Sequence, residues 1–173
     1  MEGSIIRIKV FLTLSLLLLP FLNGCNYSFK GASPPEGIKT IFIPTVKDNS
    51  GFGLPTLADN MTVTLKNKFI KDNTLEYAEK VNADGQITCT VNSVTDEVLV
   101  VSGGDQVSKR KIIINTTVEF YNLKKDKVIW KKDISNFGEY DSSTGGFSKR
   151  DEGVALAIDK ITDDILLDVI SNW

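Results

Sequence analysis

Between Lys109 and Asn122 the hydrophobic spacing has a period of two. Ile112, Ile114, Thr116, Val118 and Phe120 fall on one face, and Ile113, Asn115, Thr117, Glu119 and Tyr121 on the other. That is the signature of a half-buried strand in an antiparallel sheet. Gln86 to Val101 predicts a second long strand, with Ile87, Cys89 and Val91 in phase. The phase is lost at Asn92-Ser93, which predicts a bulge or bend there. Val128 to about Tyr140 predicts the returning strand, with Val128, Trp130 and Ile134 in phase, after a polar hairpin tip at Lys124-Lys125-Asp126-Lys127. Ile38 to Pro44 predicts a short first strand, and Leu75 to Val81 is a weaker apolar segment. Two stretches switch to helical spacing. Leu57, Met61, Leu65 and Phe69 recur at i+4 between Pro55 and Lys71. From Arg150 to the end, Val154, Ile158, Ile161, Ile165 and Val169 form a stripe widened by Ala157, Leu166 and Ile170.

The order is strand, helix, three strands, helix (β-α-β-β-β-α). A helical crossover makes the first two strands parallel, and short connections make the rest an antiparallel meander. The expected fold class is α+β: a two-layer α/β sandwich with a four-stranded mixed sheet and two helices on one face. The other face, with Ile113, Thr117, Glu119 and Tyr121, is less apolar and is left to solvent or to a partner.

A different pattern precedes the domain. Arg7 and Lys9 stand before an apolar run, Phe11 to Leu22, of about a dozen residues. That length suits a signal-peptide core and is short for a membrane span. The run ends Leu22-Asn23-Gly24-Cys25, which resembles a lipobox, although Asn23 is not the favoured small residue at its position. The resemblance implies cleavage before Cys25 and acylation of that cysteine. The expected organisation is therefore a lipoprotein signal peptide over 1–24, a lipidated cysteine and tether over 25–37, and a single α/β domain over 38–173. An uncleaved N-terminal anchor is the competing reading. It leaves Cys25 and the abrupt turn to polar sequence unexplained.

Composition narrows the chemistry. The chain has 20 basic and 22 acidic residues; without Arg7, Lys9 and Glu2 of the leader the balance is −3, no footprint for nucleic acid. There is no histidine, which removes the commonest general base and metal ligand. Cys89 sits in an alternating apolar stretch and reads as a buried strand position. Asp163-Asp164 on a helix point about 100° apart and do not converge. Gly103-Gly104 and Gly145-Gly146 lack the Gly-Lys-Ser/Thr of a phosphate loop and read as turns. No catalytic constellation, cofactor site or metal site is expected, so the protein is read as a non-enzyme.

The residues Gly24-Cys25-Asn26-Tyr27-Ser28-Phe29-Lys30-Gly31, then Pro35-Glu36-Gly37-Ile38-Lys39-Thr40-Ile41-Phe42-Ile43-Pro44, resemble the LPS-assembly lipoprotein family LptE in its Bacteroidetes-type form. The helix from Leu57 to Phe69, the run Tyr140-Asp141-Ser142-Ser143 and the terminal helix closing on Asn172-Trp173 follow the same pattern. The resemblance covers almost the whole mature chain. It implies an outer-membrane lipoprotein, lipid-anchored at the periplasmic face, which plugs the β-barrel LptD and assists lipopolysaccharide transport. Its implied partners are an LptD-type barrel, lipopolysaccharide and the membrane.

Lipopolysaccharide is polyanionic, so clustered bases are candidates for holding its phosphates. Lys109 and Arg110, followed by Lys111, open one strand; Lys124, Lys125 and Lys127 form a hairpin tip. A hairpin places these at opposite ends, as two small patches, and solvated strand ends are the blander explanation. A second functional class stays open. Ile41-Phe42-Ile43-Pro44 with Asp48-Asn49-Ser50 is similar to the opening of TolB N-terminal-like and LpoB-like domains, which implies a periplasmic regulator of a cell-envelope enzyme.

Overall fold

The computed structural model describes residues 34–102, 106–143 and 146–171. The leader, Cys25 and the glycine pair at 103–104 lie outside them, as do Asp105, Thr144, Gly145 and the terminal Asn172-Trp173.

The chain enters through a tight turn in which the Ile38 N–H donates to the Pro35 carbonyl at 3.0 Å. Gly37 occupies its third position at φ +82°, a conformation that side chains with a Cβ rarely adopt. Strand β1, Thr40–Phe42, and the two-residue β2, Lys47–Asp48, follow. Helix α1 spans Leu57–Asp72 and buries the expected stripe Leu57, Met61, Leu65 and Phe69. It ends at Asn73, whose left-handed backbone (φ 58°) lets its N–H close on the Phe69 carbonyl. Next come β3, Glu76–Tyr77, and a 3₁₀ turn, Lys80–Asn82. The meander is β4, Gly85–Ser102, β5, Gln106–Asn122, and β6, Lys127–Asp141. Helix α2, Gly146–Ser171, closes the fold.

The sheet order is β3-β1-β4-β5-β6, with β2 also pairing β4. β1 runs parallel to β3 and β4, and β2 parallel to β4, while β4–β5 and β5–β6 are antiparallel. The two-layer α+β architecture and the parallel β1–β4 crossover match the expectation. The expected four strands become six, because β2 and β3 are two residues each. The weak segment Leu75 to Val81 divides into β3 and the 3₁₀ turn. A strand this short has no periodicity of its own and exists because a longer neighbour supplies the hydrogen bonds.

The core lies between the helices and one sheet face. Ile112, Ile114, Thr116, Val118 and Phe120 are fully buried, together with Ile87, Cys89 and Val91. Thr116 is satisfied there by donating to the Ile134 carbonyl at 2.9 Å. The β4 register shifts between Val91 and Ser93, where the phase loss predicted a bulge. In the β5–β6 pairing an irregularity falls between Phe120 and Tyr121, which pair with Trp130 and Val128. It separates two residues expected on one face: Trp130 packs edge-on against Phe120 (centroids 6.0 Å), whereas Val128 is exposed.

Gly138 and Gly153 set how closely α2 packs on β6. A Cβ at Gly138 would lie 2.0 Å from the Gly153 carbonyl oxygen and 2.8 Å from the Ala157 nitrogen. The bare backbone of β6 therefore touches the bare backbone of the helix.

Candidate functional site

The five expected contact residues separate to opposite ends of β5. Lys109 and Arg110 pair with Asp141 and Tyr140 at one end, while Asn122 pairs with Lys127 at the other. At about 3.3 Å per residue the two groups are roughly 40 Å apart, so the structure does not bring them into one patch.

At the far end the ribbon is organised by Asp96. Its carboxylate accepts from Arg110 Nε at 2.7 Å and from the Tyr140 hydroxyl at 2.8 Å, and the Arg110 Nη2 reaches the Asp96 carbonyl at 3.0 Å. Arg150 of α2 stands 3.6 Å from the same carboxylate, and its guanidinium stacks 4.1 Å above the Phe52 ring. The Asp96 bond raises the Arg110 guanidinium above its ordinary value. Burial and then the Asp96 bond push the Tyr140 phenol up, so it stays a donor. The cluster ties β4, β5, β6, α2 and the loop before α1. Arg110 is thereby committed to a carboxylate, and Lys111 to Glu97 at 3.3 Å; Lys109 is exposed.

At the near end the centre is Asp84, which is buried. It accepts from the backbone N–H groups of Lys39 (2.7 Å) and Thr40 (3.0 Å) and contacts the Lys124 ammonium. Burial alone would raise its pKa; these donors outweigh burial and hold it down at about 2. Lys124 is therefore tied to the fold, whereas Lys125 and Lys127 are exposed. Sequence reasoning passed over Asp84, Asp96 and Arg150, since nothing local marks an ion pair that forms across strands.

The sheet face away from the helices is polar and cross-linked along its middle, and carries the apolar cross-strand pair Ile113 and Phe137. Asn92 donates to Thr117 Oγ1 (2.7 Å), Thr117 to Asp133 (2.6 Å) and Asn115 to Ser93 (2.9 Å). On the helix side, Lys68 of α1 bridges Asp159 (2.7 Å) and Asp163 (2.5 Å) of α2. Burial alone would lower the Lys68 ammonium, and the two carboxylates lift it above the ordinary lysine value. The Cys89 thiol is pushed up to about 12 by burial, as suits an inert core position. Among the described residues no group of His, Cys, Asp or Glu has metal-binding geometry, and no helix is long and apolar enough to cross a membrane.

Similar structures share the fold. PelC from Paraburkholderia phytofirmans, solved as a dodecamer, matches with a TM-score of 0.54 at 11% identity, over 80% of this chain and 94% of its own. A hypothetical protein of Chlamydia trachomatis matches at 0.56 and 10% identity, over 76% and 95%. A minor lipoprotein from Acinetobacter baumannii matches at 0.52 and 12% identity, over 78% and 94%. No curated protein matches the sequence. The family model described as "LptE: Lipopolysaccharide-assembly" matches residues 38–169, from the entry to β1 to the last turns of α2. The chain belongs to the LptE lipopolysaccharide-assembly family.

Proposed function

We propose that this LptE-family protein is an outer-membrane lipoprotein, acylated on Cys25 at the periplasmic face, which plugs an LptD-type β-barrel during lipopolysaccharide transport. The family match over the whole domain carries the reading. The polar middle of the open sheet face supports it. A barrel lumen is lined by polar side chains, and the ladder of Asn92, Thr117 and Asp133 offers such a lumen a polar surface with its side chains already paired. Lys109, with Arg110 behind it, is the proposed contact for lipopolysaccharide phosphates at the far end.

The test is affinity recovery. An immobilised soluble form lacking the leader and Cys25 is expected to retain a large β-barrel from detergent-solubilised outer membranes. Recovery of a cell-wall enzyme with no barrel would replace this reading with the regulator class. The anchor is tested on its own: Cys25→Ala is expected to abolish radioactive fatty-acid labelling and release the protein from membranes.

A further inference from the structure

Three connections meet at the near end of the sheet. Ile41, Gly85, Asn122 and Lys127 lie in one lateral row. The Thr40 hydroxyl donates to the Asn82 carbonyl at 3.1 Å, and the Leu123 N–H to the Asp84 carbonyl at 2.8 Å. The chain's entry, the 3₁₀ turn and the β5–β6 turn therefore form one surface. On it Val81 is 90% exposed, an apolar side chain standing in solvent. Lys80, Lys125 and Lys127 are exposed around it. Asp84 is occupied by Lys124, and Asp126 accepts from the Tyr121 hydroxyl at 2.5 Å. Glu36 and Glu79 keep the excess of positive charge modest, so charge alone would hold this surface weakly.

The same end is the one that leads to Cys25. Twelve peptide units join Cys25 to Gly37, a reach of at most about 40 Å. β4 alone, with 18 residues, extends on the order of 55 Å from this end to the other. A lipid on Cys25 thus holds the Gly85 end, with Val81 and its lysines, within about 40 Å of the leaflet, while the other end is free to lie farther away.

We infer that this end is a membrane-docking surface: Lys80, Lys125 and Lys127 meet the phosphates of anionic phospholipids in the anchoring leaflet, and Val81 inserts between the headgroups. The inference rests on the acylation of Cys25 in the proposed function. Lysines beside a lipid anchor add to it because each cation near an anionic surface strengthens attachment. Docking would fix which end of the domain points away from the membrane.

The test uses the chain without residues 1–24 and with Cys25→Ser, which keeps every described element. Its binding is measured by co-sedimentation with vesicles of phosphatidylethanolamine and phosphatidylglycerol at low salt. Binding is expected, and Lys125→Ala/Lys127→Ala is expected to weaken it about 25-fold, roughly fivefold per lysine. Val81→Asp is expected to weaken it too, and Lys109→Ala at the far end to leave it unchanged. An unchanged melting temperature verifies that these exposed substitutions leave the fold intact. Equal binding by the double variant and the parent would overturn the inference. So would binding that needs lipopolysaccharide in the vesicle and is absent with phosphatidylglycerol alone. Failure of fatty-acid labelling on Cys25, with this vesicle binding retained, would refute the anchor and not the surface.

Discussion

Asp84→Asn tests the most concentrated polar interaction in the fold. The carboxylate is buried, accepts two backbone N–H bonds and touches Lys124. Its pKa of about 2 against an ordinary 3.8 corresponds to about 2 kcal/mol of stability. The folded value is the lower one. The contribution is therefore complete above about pH 4 and drains away as pH falls through the folded pKa near 2. Lys124 is two-thirds exposed, with 67% of its side chain accessible. Water screens such a partner to roughly 1 kcal/mol or less, so the two backbone donors carry the larger share.

Urea unfolding from pH 7 down to 2.5 measures this directly. Asp84→Asn is expected to lose on the order of 2–3 kcal/mol at pH 7, because the amide accepts less strongly and presents donors to donors. The gap from the parent is expected to narrow as pH drops below about 4. Lys124→Ala is expected to lose less than Asp84→Asn at neutral pH. A gap of constant size across the whole range would refute the reasoning, since the stabilising species would not then be the carboxylate.

Other perturbations probe the packing. Gly138→Ala would put a Cβ 2.0 Å from the Gly153 carbonyl oxygen and is expected to cost about 3 kcal/mol of unfolding free energy, lowering the urea midpoint; a wild-type midpoint would show that α2 is free to shift. Ile114→Ala and Phe120→Ala, both fully buried, are expected to cost about 2–5 kcal/mol. Ile113→Thr on the open face should stay within about 0.5 kcal/mol, and the reverse ranking would invert the strand phase. Asp96→Ala leaves Arg110 and Tyr140 without their acceptor and is expected to cost about 2 kcal/mol in urea unfolding, an effect that equal midpoints would exclude.

The long elements were legible because periodicity averages over many residues. The alternation from Ile112 to Tyr121 and the stripe from Val154 to Val169 each repeat often enough to outweigh local noise. β2 and β3 were not legible, since two residues carry no period and their pairing depends on β1 and β4. Val128 was placed with Trp130 because a bulge at Phe120–Tyr121 moves one residue out of phase without any glycine or proline to announce it. The Gly138–Gly153 approach was invisible for another reason. Each glycine looks ordinary alone, and the constraint exists where a strand and a helix remote in sequence touch.

The candidate site shows the same division between local pattern and tertiary circumstance. As sequence, Lys124, Lys125 and Lys127 are one basic hairpin tip. In the fold they differ: Lys124 is spent on a buried carboxylate, and the others project into solvent. Charge reversal at Lys124 would set a carboxylate against Asp84 and weaken the link between β1 and β4. A drop in lipid or lipopolysaccharide binding would then report damaged structure. Arg110 is compromised likewise, because Asp96 and the Tyr140 hydroxyl depend on it. Lys125 and Lys127 at one end, and Lys109 at the other, are the positions where charge can be removed at least structural cost, Lys109 giving up only its attraction for Asp141 across the strands. Recognition of the two ends is separable at those three residues: loss at Lys109 alone assigns the far end to lipopolysaccharide, and loss at Lys125 and Lys127 alone assigns the near end to the leaflet.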